Sequence, residues 1–198
     1  MRRMFRGWLR GKFQIPACDG PAMPYHPCSR ENCMTLRAVK LAMVFAVALY
    51  DTLLVFNNTT DYNSNYQLVR HVLMMDSTFP GNRAMWRALN QQAAHTVFYL
   101  SIIAWELVTM ILCCWGGLRL ARALRGSAAA FHGANRISSI GLTLALLMWL
   151  LAFVTVGGEW FLMWQSEAWN GQEVALRMFT AIGIVLLLVA QPDTEGQP

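Results

Sequence analysis

The sequence predicts an all-α protein, a four-helix transmembrane bundle with a short helical extracytoplasmic loop between the first two membrane helices. Two observations lead to this fold class. Apolar residues make up 56% of the chain and charged residues only 14%, whereas soluble domains average roughly 45–50% and 25%. The apolar residues are also gathered into four long runs, and a bilayer core about 30 Å thick needs roughly 20 helical residues to cross it.

Four membrane spans follow from these runs, at residues 36–56, 94–118, 137–164 and 174–190. Arg37 and Lys40 stand at the start of the first span, where long basic side chains are expected to reach out to the membrane interface. The fourth span is closed by Pro192, because proline cannot continue the hydrogen bonds of a helix.

The first 33 residues form a separate segment, which is basic, contains proline and lacks the apolar core of a signal peptide. We expect a poorly ordered cytoplasmic extension there. Met34 stands directly before the first span and would be a natural start, so a start-site artefact is an equal alternative. The four-span membrane domain is then residues 34–198.

The placement of basic residues predicts the orientation of the bundle. Eight of the sixteen Lys and Arg residues precede Leu41, and four more lie between spans two and three. Only Arg70, Arg83, Arg87 and Arg177 belong to the other side. The positive-inside rule therefore places both termini in the cytoplasm. The net charge of +5 is read as an orientation signal, and nucleic acid is not an expected partner.

The loop between spans one and two is expected to contain helix. Residues 66–75 read as a short amphipathic helix at the membrane interface, with Ser64 or Asn65 as its N-terminal cap. Residues 79–82 signal a turn. Residues 83–89 are then expected to restart as a helix that leads into span two.

Three acidic residues fall inside the apolar runs, one in each of the first three spans: Asp51, Glu106 and Glu159. At about 1.5 Å per residue, Glu106 lies roughly 18 Å into its span, and the other two lie roughly 7–8 Å below the outer ends of theirs. A carboxylate at such depth is costly unless it finds a partner or is neutral. One interpretation is structural, with Arg177 neutralising Glu159 or Asp51. The alternative is a proton or cation path from the outer face.

Histidines and tryptophans supply further candidates for function. We expect His95, at the outer mouth of span two, and His71, in the loop helix, to be solvated interfacial residues. An aromatic belt at the outer interface, able to contact another protein, is expected from Trp160, Trp164 and Trp169.

Small residues mark expected helix contacts. Ala38, Ala42 and Ala46 recur at every fourth position of span one, and small side chains let helix backbones approach closely in lipid. Gly157 and Gly158 are expected to serve the same purpose in span three.

Metal and haem sites are not predicted. A zinc site could be written from Cys18, His26, Cys28 and Cys33, but no pair has the short spacing of a zinc motif. Haem between helices needs axial ligands from facing spans, and predicted spans one, three and four contain no histidine. No catalytic motif is evident, so we predict no cofactor and no enzymatic activity.

Three long stretches carry a family resemblance: LLVFNNTTDYNSNYQLVRHVLMMDSTFPGN (53–82), AFVTVGGEWFLMWQSEAWNGQE (152–173) and LLLVAQPD (186–193). They resemble a family of bacterial small integral membrane proteins, domain of unknown function family 2165. The resemblance runs from about Met34 to the end of the chain. It implies four helices in a bacterial inner membrane, and it implies no activity.

Two functional hypotheses follow. The first is a non-enzymatic accessory or structural subunit in the lipid bilayer, which binds another membrane protein or a second copy of itself through its helix faces and Trp-rich outer rim. The alternative is a small proton- or cation-linked transporter that uses Asp51, Glu106 and Glu159. The lack of a catalytic motif and the small size of the chain favour the first.

Overall fold

The computed structural model describes residues 30–193, and this part of the chain is helical without β-strands. Its five α-helices are α1 (Arg30–Thr60), α2 (Tyr62–Met74), α3 (Gln92–Ala123), α4 (Ala128–Leu147) and α5 (Gln172–Ala190). A π-helix, Met148–Trp160, directly continues α4, and single 3₁₀ turns occupy Met85–Arg87 and Met163–Gln165. The predicted basic extension lies, apart from its last residues, outside the described part.

Four helical segments are long and apolar enough to cross a membrane: Cys33–Thr60, Gln92–Ala123, Ala128–Trp160 and Gln172–Ala190. The predicted four-helix bundle is thus confirmed. Helix α1 packs against α3, α3 against α4, and α4 against α5. We call the end where α1 begins and α5 ends the terminal side, and the opposite end, where α2 lies, the loop side.

The helices are longer than the predicted spans, and the difference is explained at the end of α1 and at the start of α4. Helix α1 continues past Phe56 because the hydroxyls of Thr59 and Thr60 donate hydrogen bonds to carbonyls one turn back in the same helix. Helix α4 begins at Ala128, nine positions before the predicted start, because the Ser127 side chain accepts a hydrogen bond from a backbone N–H of its first turn. Asn58 and Asn135, which lie outside the predicted spans, are therefore helical and buried in the bundle.

The predicted loop helix is present as α2, but its bounds and its cap differ. The residue at its N-terminal boundary is Asp61, so Ser64 and Asn65 lie within the helix. The predicted helix at 83–89 is only a 3₁₀ turn, because Leu89 donates its backbone N–H to the carbonyl of Leu73 and ties an extended segment to α2.

Helices α3 and α4 pack in direct backbone contact through glycine. A Cβ atom added to Gly116 would lie 2.5 Å from Ser138 Oγ and 2.6 Å from the Ser138 backbone nitrogen. A Cβ atom added to Gly141 would lie 2.8 Å from Cys113 Sγ. These positions therefore set the distance between the two helices.

The predicted alanine stripe on α1 does not pack inside the bundle. Ala38, Ala42 and Ala46 are exposed, whereas the buried face of α1 carries Val44 and Val47. The prediction was wrong because larger apolar side chains bury more surface, and their positions determine which face of α1 turns inward. Gly157 and Gly158, by contrast, are buried as expected.

Arg37 and Lys40 do not extend to an interface but are buried in protein, with 6% and 1% of their surface exposed. Arg37 Nε donates to Asp193 Oδ2 at 2.7 Å, and Arg37 Nη1 donates to two carbonyls of the α3–α4 connection. Lys40 Nζ donates to the carbonyl of Gln191. The beginning of α1 is thereby bound to the residues that follow α5, and we call these contacts the terminal clamp.

Candidate functional site in the bundle interior

Two of the three predicted intramembrane acids come together inside the bundle. Asp51 of α1 and Glu106 of α3 are 2% and 3% exposed, and they are near enough for their charges to interact. The Cys113 thiol of α3 is hydrogen-bonded to the Asp51 carboxyl group. The third acid, Glu159, is exposed at the end of the π-helix, so it does not take part in this site.

Asparagine side chains connect this acid pair to the loop side. Asn58 Nδ2 donates a hydrogen bond to Glu106 Oε2 at 2.6 Å, in a buried position. Asn65 Nδ2 of α2 donates to Asn58 Oδ1, also at 2.6 Å. The Tyr99 hydroxyl donates to the Asn58 carbonyl at 3.2 Å. One hydrogen-bond network thus joins α1, α2 and α3 around Glu106.

No basic side chain in the described part of the chain forms an ion pair with either acid. Arg177, predicted to neutralise Glu159 or Asp51, instead pairs with Glu173 one turn away on the exposed face of α5. That prediction was wrong, because the side chain of Arg177 points away from the bundle. Asp51 Oδ2 is buried and has no hydrogen-bond partner.

The relative depths of the two acids differ from the prediction. Asp51 was expected nearer the outer face than Glu106, but its partner Cys113 lies seven residues beyond Glu106 along α3. The reason is the unexpected length of α1, which continues nine residues past Asp51, or roughly 13 Å. Asp51 therefore lies further from the loop side than Glu106.

A cavity of about 250 Å³ adjoins the site, and we call it the polar cavity. Glu106, Asn58 and Asn65 contribute its polar lining. Its aromatic lining consists of Tyr50, Tyr99, Trp149 and Phe153. The indole nitrogen of Trp149 is buried and has no hydrogen-bond partner. The site therefore contains a cavity and a buried N–H donor that has no hydrogen-bond partner among the described residues.

A second cavity, of about 230 Å³, lies beside the first, and we call it the apolar cavity. The two cavities share the side chains of Leu68, Val69, Ile102 and Phe153. Nearly all other residues around the apolar cavity are aliphatic or aromatic, and most of them come from α2, α3 and the π-helix. The polar cavity and the apolar cavity are thus adjacent.

Buried polar residues continue from Asp51 toward the terminal side. Ser138 and Asn135 of α4 are buried, and each has a side-chain oxygen without a hydrogen-bond partner. Asn135 Nδ2 donates to the carbonyl of Val189 near the end of α5. Asn135 lies outside the predicted third span and Ser138 at its edge, because the apolar run predicts that the span begins at Ile137.

The predicted histidine and tryptophan candidates lie elsewhere on the loop side. His95 is buried, not solvated, and its Nε2 lies 2.7 Å from the Leu89 carbonyl oxygen. His71 is partly buried, stacks on Trp169 with 4.4 Å between ring centroids, and pairs with Asp76. Neither histidine belongs to the acid site.

Trp160 and Trp164 are exposed at the loop-side rim. Trp86, which is not among the predicted candidates, packs edge-on against Trp160. The Arg87 guanidinium lies over both rings, 5.3 Å from the Trp86 centroid and 4.8 Å from that of Trp160. These residues form an exposed aromatic rim, as a membrane-interface belt requires.

No three His, Cys, Asp or Glu side chains converge as metal ligands within residues 30–193. Cys18, His26 and Cys28, which the zinc alternative requires, lie outside that range.

Asn58 and Asn65 were the principal omission from the sequence-based candidates. A signal exists for Asn58, because it follows Asp51 by seven residues within α1, which places both side chains on one face of that helix. Asn65 follows after seven more residues but lies in α2. The polar residues after Phe56 predict a loop, so this spacing is not recognised as helical from the sequence.

Four apolar helices around a buried pair of acids define a small polytopic integral membrane protein. The chain matches, over residues 36–192, the family described as predicted small integral membrane protein, DUF2165, and it belongs to that family. The resemblance noted in the sequence is thereby confirmed. No curated protein and no solved structure matches the chain.

Proposed function

We propose that this protein binds a proton or a cation at Asp51 and Glu106 and moves it across the bilayer, as a small proton- or cation-linked transporter. The supporting observation is that two buried carboxyl groups, on different helices, lie within electrostatic reach of each other and have no basic partner among the described residues. Removing a carboxylate from water costs several kcal/mol in a protein interior. A bound proton or cation offsets that cost.

The surroundings of the acid pair favour this interpretation over an internal ion pair. The nearest titratable neighbours are Tyr50 on α1 and Tyr99 and Cys113 on α3. Asp61 and Tyr62, at the start of α2, also interact electrostatically with Tyr99. The π-helix and α5 contribute only uncharged residues to the polar cavity. All of these groups are neutral or acidic, so within residues 30–193 no basic group supplies the compensating charge, and a bound proton or cation takes that role.

A route through the bundle is part of the proposal. The polar cavity and the asparagine network lead from the loop side to Glu106. Cys113, Ser138 and Asn135 continue the series of buried polar groups toward the terminal side. Buried hydroxyl and amide oxygens without hydrogen-bond partners destabilise an apolar core. On a conduction path, these oxygens would contact the moving proton or cation.

The test is proton flux in liposomes that contain a pH-sensitive dye and the purified protein, driven by an imposed membrane potential. Glu106→Gln is expected to reduce flux to near the level of empty liposomes, because glutamine can still accept the Asn58 hydrogen bond but cannot carry a proton. Glu159→Gln is the matched control. It makes the same substitution at an exposed acid, and it should retain wild-type flux.

Wild-type protein that gives no flux above empty liposomes, under a proton gradient or under gradients of Na⁺ or K⁺, would contradict the transport proposal. It would favour the accessory-subunit hypothesis, which the exposed aromatic rim also supports. Full flux in Glu106→Gln would show that the transported ion does not use this site.

We further propose that both termini are cytoplasmic and that the membrane is a bacterial inner membrane. The terminal side carries the exposed arginines Arg119, Arg122, Arg125 and Arg136, as the positive-inside rule requires of a cytoplasmic face. A green fluorescent protein fused after Pro198 is expected to fluoresce, and alkaline phosphatase at the same position to be inactive. Phosphatase inserted at Gly81, an exposed turn on the loop side, should be active. The reverse pattern would contradict this orientation.

A further inference from the structure

We infer that the ligand of this site is an amphiphilic cation: a lipophilic ammonium or phosphonium whose charged end lies beside Glu106 and whose apolar part occupies the apolar cavity. The inference rests on the proposed function, because it names the ligand class of the same site.

The arrangement of the two cavities carries the inference. They measure about 250 and 230 Å³ and share four lining side chains. Sites for drug-sized ligands typically measure roughly 300–1,000 Å³. Either cavity alone is smaller than that range, and the two together fall within it. A ligand that filled both would need one polar, cationic end and one apolar end.

The chemistry of the polar cavity specifies the cationic end. Glu106 supplies a carboxyl group, and Asp51 is buried within electrostatic reach of it. Tyr50, Tyr99 and Trp149 supply aromatic rings around the same space. Aromatic faces attract organic cations by roughly 0.5–2 kcal/mol per ring. Carboxyl groups and aromatic rings together therefore favour a poorly hydrated organic cation.

Other ligand classes fit less well. Among the described residues, no lysine, arginine or histidine lines either cavity, so an anion would have no counter-charge there. Mg²⁺ and Ca²⁺ require about six or more oxygen ligands, whereas the non-aromatic polar residues that the described part of the chain places around the polar cavity are Glu106, Asn58 and Asn65. A bare inorganic ion would also leave the apolar cavity unused.

The apolar cavity extends to the outer surface of the bundle. Phe98, Leu151 and Val156 line it and are also exposed, at 38%, 42% and 37%. These residues belong to α3 and the π-helix, within spans that face lipid. Amphiphilic cations concentrate in bilayers, so a side opening between these two helices gives them direct entry. The residues from α2 close the cavity on the loop side.

The probe is tetraphenylphosphonium, and its binding to the full purified chain is measured by equilibrium dialysis. Wild-type protein should bind it, and Glu106→Gln should weaken binding at least roughly tenfold because the counter-charge is lost. Ala152→Phe, which places a ring in the apolar cavity, should weaken binding by a similar factor because it fills the space for the apolar part of the ligand. Ala104→Phe is the matched control. It lies exposed on α3 and lines neither cavity, so it should bind like wild type.

The outcomes separate this inference from the proposed function. The ligand class would be overturned if the wild-type protein did not bind tetraphenylphosphonium, or if Ala152→Phe and Ala104→Phe bound it equally. If proton flux still depended on Glu106 in that case, the transport proposal would be unaffected. If both Glu106→Gln and Ala152→Phe lost binding while the wild-type protein showed no flux, the ligand class would be supported and the transport proposal contradicted. Thermal unfolding in detergent and size-exclusion chromatography check that Glu106→Gln and Ala152→Phe are folded.

Discussion

Gly116→Ala is expected to lower the free energy of unfolding by about 1–3 kcal/mol, the usual range for overpacking a closely packed core. The added Cβ atom would lie 2.5–2.7 Å from three atoms of Ser138, two of them backbone atoms that no change of rotamer can move. Relief requires α3 and α4 to separate, and α4 forms its largest interface in the bundle with α3. Thermal unfolding in detergent, followed by size-exclusion chromatography, measures the loss.

Gly133→Ala provides the matched control for this substitution. Gly133 lies in α4, the helix that packs against Gly116 of α3, but a Cβ atom there would have no atom within 4 Å. Alanine is better than glycine in a helix interior by roughly 0.5–1 kcal/mol, so this variant should be as stable as wild type or more stable. The two substitutions are therefore expected to act in opposite directions. If both raised the unfolding temperature, close backbone packing at Gly116 would be contradicted.

Arg37→Met is expected to destabilise the bundle further, by about 3–5 kcal/mol, the usual cost of removing one partner from a buried ion pair. The variant leaves the Asp193 carboxylate and two carbonyls of the α3–α4 connection without their donor. Loosening of the terminal side should also expose the end of α5 to carboxypeptidase. Thermal unfolding and the rate of carboxypeptidase digestion measure the two effects.

Arg122→Met is the control, since Arg122 is an exposed arginine near the terminal side and its loss should change stability by no more than about 0.5 kcal/mol. The double variant Arg37→Met with Asp193→Leu should recover part of the lost stability, because it removes the uncompensated carboxylate. Equal effects of Arg37→Met and Arg122→Met would contradict a stabilising role for the terminal clamp.

The fold was predictable from sequence because membrane spans are determined by length and hydropathy, which are local properties. The errors arose where polar residues continue a helix. Thr59 and Thr60 satisfy their hydroxyl groups within α1, so a polar stretch does not end that helix. Ser127 caps α4 and brings Asn135 into the bundle. Composition alone carries no information about such hydrogen bonds.

The site was predictable only in part. Asp51 and Glu106 were recognisable because acids in apolar runs are costly, and the structure places them together. The rotation of each helix about its axis was not predictable. This rotation determines that Glu159 and Arg177 face outward while His95 faces inward. Helix rotation depends on packing between distant segments, such as Gly116 against Ser138. One sequence alone, without covariation between positions in related sequences, does not specify those contacts.

The terminal clamp has a consequence for biogenesis. Arg37 and Asp193 are 156 positions apart, and a polypeptide emerges from the ribosome beginning at its N-terminus. The first helix therefore enters the translocation machinery long before its counter-charge has been synthesised. A nascent chain that stops before Asp193 leaves Arg37 without its carboxylate, and one that also lacks Gln191 leaves Lys40 without its carbonyl. Incomplete chains thus differ from the finished protein by unpaired basic side chains on the terminal side of the bundle. These side chains are a feature by which quality-control proteases can recognise an incomplete chain.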